Sequence, residues 1–181
     1  MAVIRLRYLA AVALAAAFLA GCGGGSQVKP SAYVKSMCQA LGGWKNTIQG
    51  AGVALTSSGA ATASPPVAKA EYQRFVGSLV TATRRAGTAL KSAQAPAIKH
   101  GDQIASRLTG AFDQATRRLL RASAETKSIR TDSTSTFQLG ASSVNSDIRG
   151  ALQAIAAASP GQNQALRKAA AKEPACQVLQ G

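Results

Sequence analysis

The sequence predicts an all-α fold, an up-down four-helix bundle with a short C-terminal segment. Three observations carry that expectation. Apolar residues make up 46% of the 181-residue chain but aromatics only 4%, so the core must be built mainly from small aliphatic side chains. Alanine, leucine, glutamine, lysine and arginine, all good helix formers, dominate over β-branched and aromatic runs. Apolar residues recur at i, i+3, i+4 and i+7 in four stretches, and no strand-like alternation survives more than a few residues.

The first stretch begins after Pro30 and Ser31, with Ser31 as its candidate cap, and its stripe is Tyr33, Met37, Leu41, Trp44 and Ile48. Gly42-Gly43 falls inside it and is expected to weaken or bend the helix. Residues 50–64 turn to Gly, Ala, Ser and Thr and end at Pro65-Pro66, which predicts a long loop. The second stretch, about 66–94, gathers Tyr72, Phe75, Val76, Leu79, Thr83, Ala86 and Leu90 on one face, with Arg74, Thr81, Arg85 and Thr88 opposite. Ala95-Pro96 reads as a short break, which favours an antiparallel neighbour. The third stretch, about 97–128, aligns Ile104, Leu108, Phe112, Ala115 and Leu119. The fourth starts near Asp132 or Ser133, aligns Phe137, Ala141, Val144, Ile148, Leu152 and Ile155, and ends at Pro160-Gly161. A weaker helical segment over 162–172 precedes the tail. No repeat in the 20–50-residue range is visible.

Ahead of these stretches the chain has a different character. Met1 to Arg7 carries two arginines and no acid, and Tyr8 to Ala20 is an almost unbroken apolar run. That run has the length of a signal-peptide core and falls short of the roughly 20 residues a membrane-spanning helix needs. It ends in Leu19-Ala20-Gly21-Cys22, which resembles the lipobox of bacterial lipoproteins. The resemblance implies diacylglycerol on the Cys22 thiol, with palmitate among the acyl chains, cleavage before Cys22, and anchoring to the extracytoplasmic face of the cell membrane. Two or more acyl chains at one residue supply the double signal that stable anchoring requires. The alternative is an ordinary secretory peptide ending at a cysteine. The expected organisation is a signal peptide over 1–21, a lipidated cysteine with a Gly-rich tether over 22–30, and a helical domain over 31–181. In composition the chain is similar to small lipoproteins of high-GC Gram-positive bacteria; no named domain family is recognised in the mature part.

With Cys22 taken by lipid, Cys38 and Cys176 remain. In an oxidising compartment two leftover cysteines most simply pair, tying the tail back onto the first helix. The alternative is two buried free thiols. A metal site finds no support, because the two cysteines lie far apart with one distant histidine, His100, and match no ligand spacing.

The charge balance is lopsided, with 21 Lys+Arg against 7 Asp+Glu. Loss of residues 1–21 removes Arg5 and Arg7 and no acid, which takes the formal charge from +14 to +12. Such a surface favours anionic partners. The candidate anion-binding residues are Arg84, Arg85, Arg107, Arg117, Arg118 and Arg121, with Lys91, Arg167, Lys168 and Lys172 adding charge. The alternative is a solvated face that keeps a tethered domain soluble. Outside the cell nucleic acid is not the expected partner, and the aromatic interleaving used for single strands is missing.

Catalytic patterns are absent from the sequence. The seven acids are scattered singly, and Glu71 with Arg74 and Asp113 with Arg117 read as surface pairs. His100 reads as an exposed residue on the first turns of the third helix, and no motif marks a serine–lysine dyad. Gly23-Gly24-Gly25 lacks the strand, helix and lysine of a phosphate loop. No cofactor is expected. The leading expectation is a non-enzymatic, membrane-anchored envelope module that presents a basic surface to anionic headgroups, wall polymers or a partner protein. The alternative is a carrier of a hydrophobic or lipid ligand in a pocket between helices, lined by Trp44, Phe75, Phe112 and Phe137; an enzyme with an unmarked site is the third reading.

Overall fold

The computed structural model describes residues 27–158 and 163–179. The expected signal peptide, the lipid site at Cys22, the tether up to residue 26 and the Pro160-Gly161 terminator lie outside the described residues. Four long helices, α1 (Pro30–Ser57), α2 (Pro65–Ser92), α3 (Gly101–Ser128) and α4 (Thr134–Ala157), are followed by short α5 (Gln164–Ala170) and α6 (Pro174–Gln177). The four long helices form the expected bundle. Among the described residues there is no strand, only an isolated bridge between Val28 and Pro96.

The helix ends correct several sequence expectations. α1 starts at Pro30 with Lys29, not Ser31, at the cap position. Proline at the first helical position lacks only an N–H that has no intrahelical partner anyway, and its fixed φ suits the helix. α1 also runs through Gly42-Gly43 without interruption and on to Ser57, so the first part of the expected 50–64 loop is helical. Leu55 continues the stripe one turn beyond Ala51 and packs against the core. Thr56 donates back to the Gly52 and Val53 carbonyls and Ser58 to that of Leu55, which ties the final turn together.

The third helix starts at Gly101 rather than at 97, because the preceding segment is held extended. Val28 donates to the Ala95 carbonyl at 2.9 Å and accepts from the Ala97 amide at 2.7 Å. His100, expected on the first turns of that helix, occupies its cap position with φ 61°, a left-handed conformation that costs a residue with a side chain. Gly101 follows because a Cβ there would collide with the Pro96 carbonyl. α4 begins as expected: the Ser133 hydroxyl caps it by accepting from the Thr136 amide, and the Thr136 hydroxyl accepts from the Ser133 amide in return.

The core follows the small-residue composition. Ala115, Ala122 and Ala151 are completely buried beside Val76, Phe112, Leu119 and Val144. Gly87 packs against Phe112, its Cβ direction ending 3.3 Å from the Phe112 Cβ. α2 and α3 form the centre, α1 flanks α2 and α4 flanks α3, but α1 and α4 make next to no contact with each other. The bundle is therefore open along one seam. At the end where α1 starts, α5 and α6 pack on α1. There Cys38 and Cys176 form a disulfide, 138 positions apart in sequence, with both cysteines buried. Closing a loop of that length is worth at most about 5 kcal/mol in the chain-entropy model. Val178 covers Gly42, and the Lys45 ammonium donates to the Val178 carbonyl at 3.1 Å.

Candidate functional site

The six arginines singled out in the sequence do not form one patch; the helix register distributes them. Lys91 of α2 pairs with Asp113 of α3 at 2.8 Å, and Gly87 faces Phe112, which sets the antiparallel level of the two helices. Arg84 then lies level with Ala115, within a turn of Arg117, and both side chains are exposed. The expected Asp113–Arg117 pair is replaced by Asp113–Lys91, so Arg117 makes no ion pair among the described residues. Glu71 and Arg74 pair as expected, at 2.8 Å.

Arg118 and Arg121 face the other way, toward α4. Both guanidinium groups stand 3.8 Å from the Asp147 carboxylate, which offsets part of their charge. Gly150 leaves room for this approach, since a Cβ there would lie 2.9 Å from an Arg118 guanidinium nitrogen. One turn further along the same stripe, Ser143 donates to Glu125 at 3.2 Å. Arg118 and Arg121 are thus ties between α3 and α4, while Arg84, Arg85, Arg107 and Arg117 are exposed and carry no carboxylate partner among the described residues. Arg85 borders a groove of about 560 Å³ between α1 and α2 whose floor includes Ala40, Trp44 and Ala86.

The acids are largely committed. Glu71, Asp113, Asp132 and Asp147 each hold a basic side chain within 4 Å. Asp132 has its carboxyl held below the usual range, first by a backbone hydrogen bond and then by Arg130 and Thr136. Asp102 accepts from the Gln27 amide at 3.2 Å in the first turn of α3, where the helix dipole favours an anion. Lys69 donates at 2.8 Å to the carbonyls of Lys127 and Ile129, satisfying the end of α3. Neither Lys69 nor Asp147 carried a sequence signal, because each acts across a register that only the folded pair defines.

The four aromatics expected to line one pocket are separated. Trp44 meets Phe112 edge-on at 5.7 Å between centroids and donates its indole N–H to the buried Thr83 hydroxyl at 3.1 Å. Phe75 stacks on Tyr72 at 6.2 Å. Phe137 lines a different cavity, a cleft of about 280 Å³ shared with Leu55, Ala68, Tyr72 and Ala141 at the end where α1 finishes. Tyr72 donates its hydroxyl to Asn145 at 2.7 Å, and burial pushes its phenol up to about 12. Burial raises the Tyr33 phenol as well.

His100 is exposed and makes no side-chain hydrogen bond or ion pair among the described residues. Among the described residues no three His, Cys, Asp or Glu side chains gather as metal ligands, and no helix is long and apolar enough to cross a membrane. Comparison with family models, curated proteins and solved structures gave no match to this chain.

Proposed function

We propose that this protein is a membrane-anchored envelope lipoprotein, held by lipid on Cys22, whose stapled helical bundle binds envelope polyanions through its basic surface. The observation that carries this reading is the pattern of pairing. Most carboxylates are engaged locally, which leaves Arg84, Arg85, Arg107 and Arg117 exposed and uncompensated on a domain of formal charge +12. The lipobox-like Leu19-Ala20-Gly21-Cys22 supplies the anchor, and Val28 delivers the chain to the end that carries the disulfide. Close to a membrane each basic residue adds about 1 kcal/mol of attraction to anionic lipid. No catalytic role is assigned to any residue.

Vesicle co-sedimentation of residues 22–181 carrying Cys22→Ser, with and without anionic lipid, and pull-down on anionic wall polymer test the basic surface. Binding to at least one anionic phase that weakens steeply with salt is the expected result. Arg84→Gln with Arg117→Gln lowers it more than Arg118→Gln with Arg121→Gln, because Asp147 already offsets part of the charge of the second pair. Equal binding to neutral vesicles, or none to any anionic phase, overturns the reading. Intact mass of the membrane-extracted protein tests the anchor: the expected species is residues 22–181 plus diacylglycerol.

A further inference from the structure

An up-down bundle normally closes all four of its helix–helix seams, burying the apolar stripe of each helix against two neighbours. Here the α1–α4 seam is left open. At the disulfide end the tail covers α1: α5 and α6 pack on it with Leu166 and Cys176 buried, and a smaller cleft of about 220 Å³ remains between Leu41, Trp44, Ile155 and Leu179. At the opposite end no described segment covers α1, and the seam becomes a cleft of about 280 Å³ with three walls. Leu55 and Thr56 of α1, with Ala60 and Ala61 of the following loop, form one wall; Ala68 and Tyr72 of α2 form the base; Phe137 and Ala141 of α4 form the third.

The lining specifies the class of occupant. Among the described residues Thr56 and Tyr72 bring the only side-chain polar atoms, and the Tyr72 hydroxyl is already directed to Asn145 and the Ala141 carbonyl. No charged side chain among the described residues lines the cleft, so its lining suits hydrocarbon rather than a headgroup or an ion. Its volume corresponds to about nine water-sized groups at roughly 30 Å³ each, a methylene being of similar size. That is just below the usual range for drug-sized ligands, about 300 Å³ and upward, and too small for a partner helix to insert a row of side chains. Val53, Val67 and Leu139, three of the large apolar residues left exposed, lie on the helix ends around the same pole.

We infer that this cleft binds the hydrocarbon chain of a single-chain amphiphile, about eight to ten methylenes deep, with the headgroup left in solvent. The site is separate from the arginines above and stands whether or not they bind polyanions. The domain's own anchor is a poor occupant. Cys22 lies six residues before Val28, a reach of about 20 Å at full extension, and α1 carries the cleft about 40 Å from its first residue, so only the tip of a fully stretched acyl chain would arrive there.

The test uses residues 22–181 carrying Cys22→Ser, so that neither its own lipid nor the apolar segment before it can compete, and a series of n-alkyl carboxylates and n-alkyl maltosides below their micelle concentrations. Calorimetry is expected to give one site per chain, with affinity rising about two- to fourfold per methylene and levelling off near ten carbons, for both headgroups. Ala60→Trp fills the cleft from the loop and is expected to lower affinity at least tenfold with Tm unchanged. Ala61→Trp serves as a second plug if the first unfolds the domain. Absence of saturable binding, affinity that climbs with chain length without a limit, or full binding by both plugged variants overturns the inference. So does a dimer of the unplugged protein that either plug dissociates, since the cleft then belongs to a second copy.

Discussion

The two ends of this bundle solve the same problem with different means. At the disulfide end α1 is covered on its free side by α5 and α6, Tyr33, Val34 and Cys38 are fully buried, and Val28 is hydrogen-bonded to the α2–α3 connection. At the other end the last two turns of α1 contain no fully buried residue, two glycines at 50 and 52, and a neighbour on one side only. Local stability follows buried apolar contact rather than helix assignment, so a single helix is expected to be firmly held at its start and lightly held at its finish. A chain poor in large side chains can close one end of its core with a covalent link and leave the other end available.

The sharpest way to break the contrast is to remove the link. Replacing both cysteines, Cys38→Ala with Cys176→Ala, is expected to cost about 2–5 kcal/mol in urea unfolding and to free α5 and α6 before anything else. A loss below about 1 kcal/mol would mean that the tail holds itself. Core truncations come next. Leu90→Ala, at a position 2% exposed near the stapled end, is expected to lose about 2–5 kcal/mol. Leu55→Ala, half-buried at the open end, should lose about 1 kcal/mol or less, and an equal loss at the two sites would erase the contrast.

Tyr72→Phe is a smaller change. It removes the hydrogen bond to Asn145 at 2.7 Å and is expected to cost about 1 kcal/mol. It also alters the alkaline limb. The folded protein keeps the Tyr72 proton to about 12, whereas the unfolded chain releases it near the ordinary phenol value of 10.0. The native state binds more protons between those values, so the Tyr72 contribution is intact below pH 10 and disappears as pH rises toward 12. Urea midpoints measured across that range should fall less steeply in the Phe variant. The smallest effect is a gain. Gly50→Ala and Gly52→Ala place methyl groups in open space and should each steady the end of α1 by up to about 1 kcal/mol, seen as slower amide exchange there.

Much of this asymmetry was hidden in the sequence while the fold class was plain. The apolar period of α2, α3 and α4 predicted their buried faces, and Ser133 announced the start of α4, because these are local properties. The finish of α1 is not legible in the sequence, because the composition over 50–64 outweighs the single continuing contact of Leu55. The start of α3 was misread since Val28, far away in sequence, holds Ala95–Ala97 extended. Arginine partners were the least legible feature. Asp113 chose Lys91 over Arg117, and Asp147 drew Arg118 and Arg121, through registers between helices that no spacing within one helix encodes.

Amide hydrogen exchange of the oxidised domain tests the contrast most directly, followed by mass spectrometry before and after reduction. Residues 50–63 are expected to exchange fastest among the four long helices and their connections, and residues 33–42 and 164–177 slowly. Reduction should release 164–177 first and leave 50–63 unchanged. Equal protection at both ends of α1, or a tail indifferent to reduction, would contradict an account in which the covalent link closes one pole and leaves the other open.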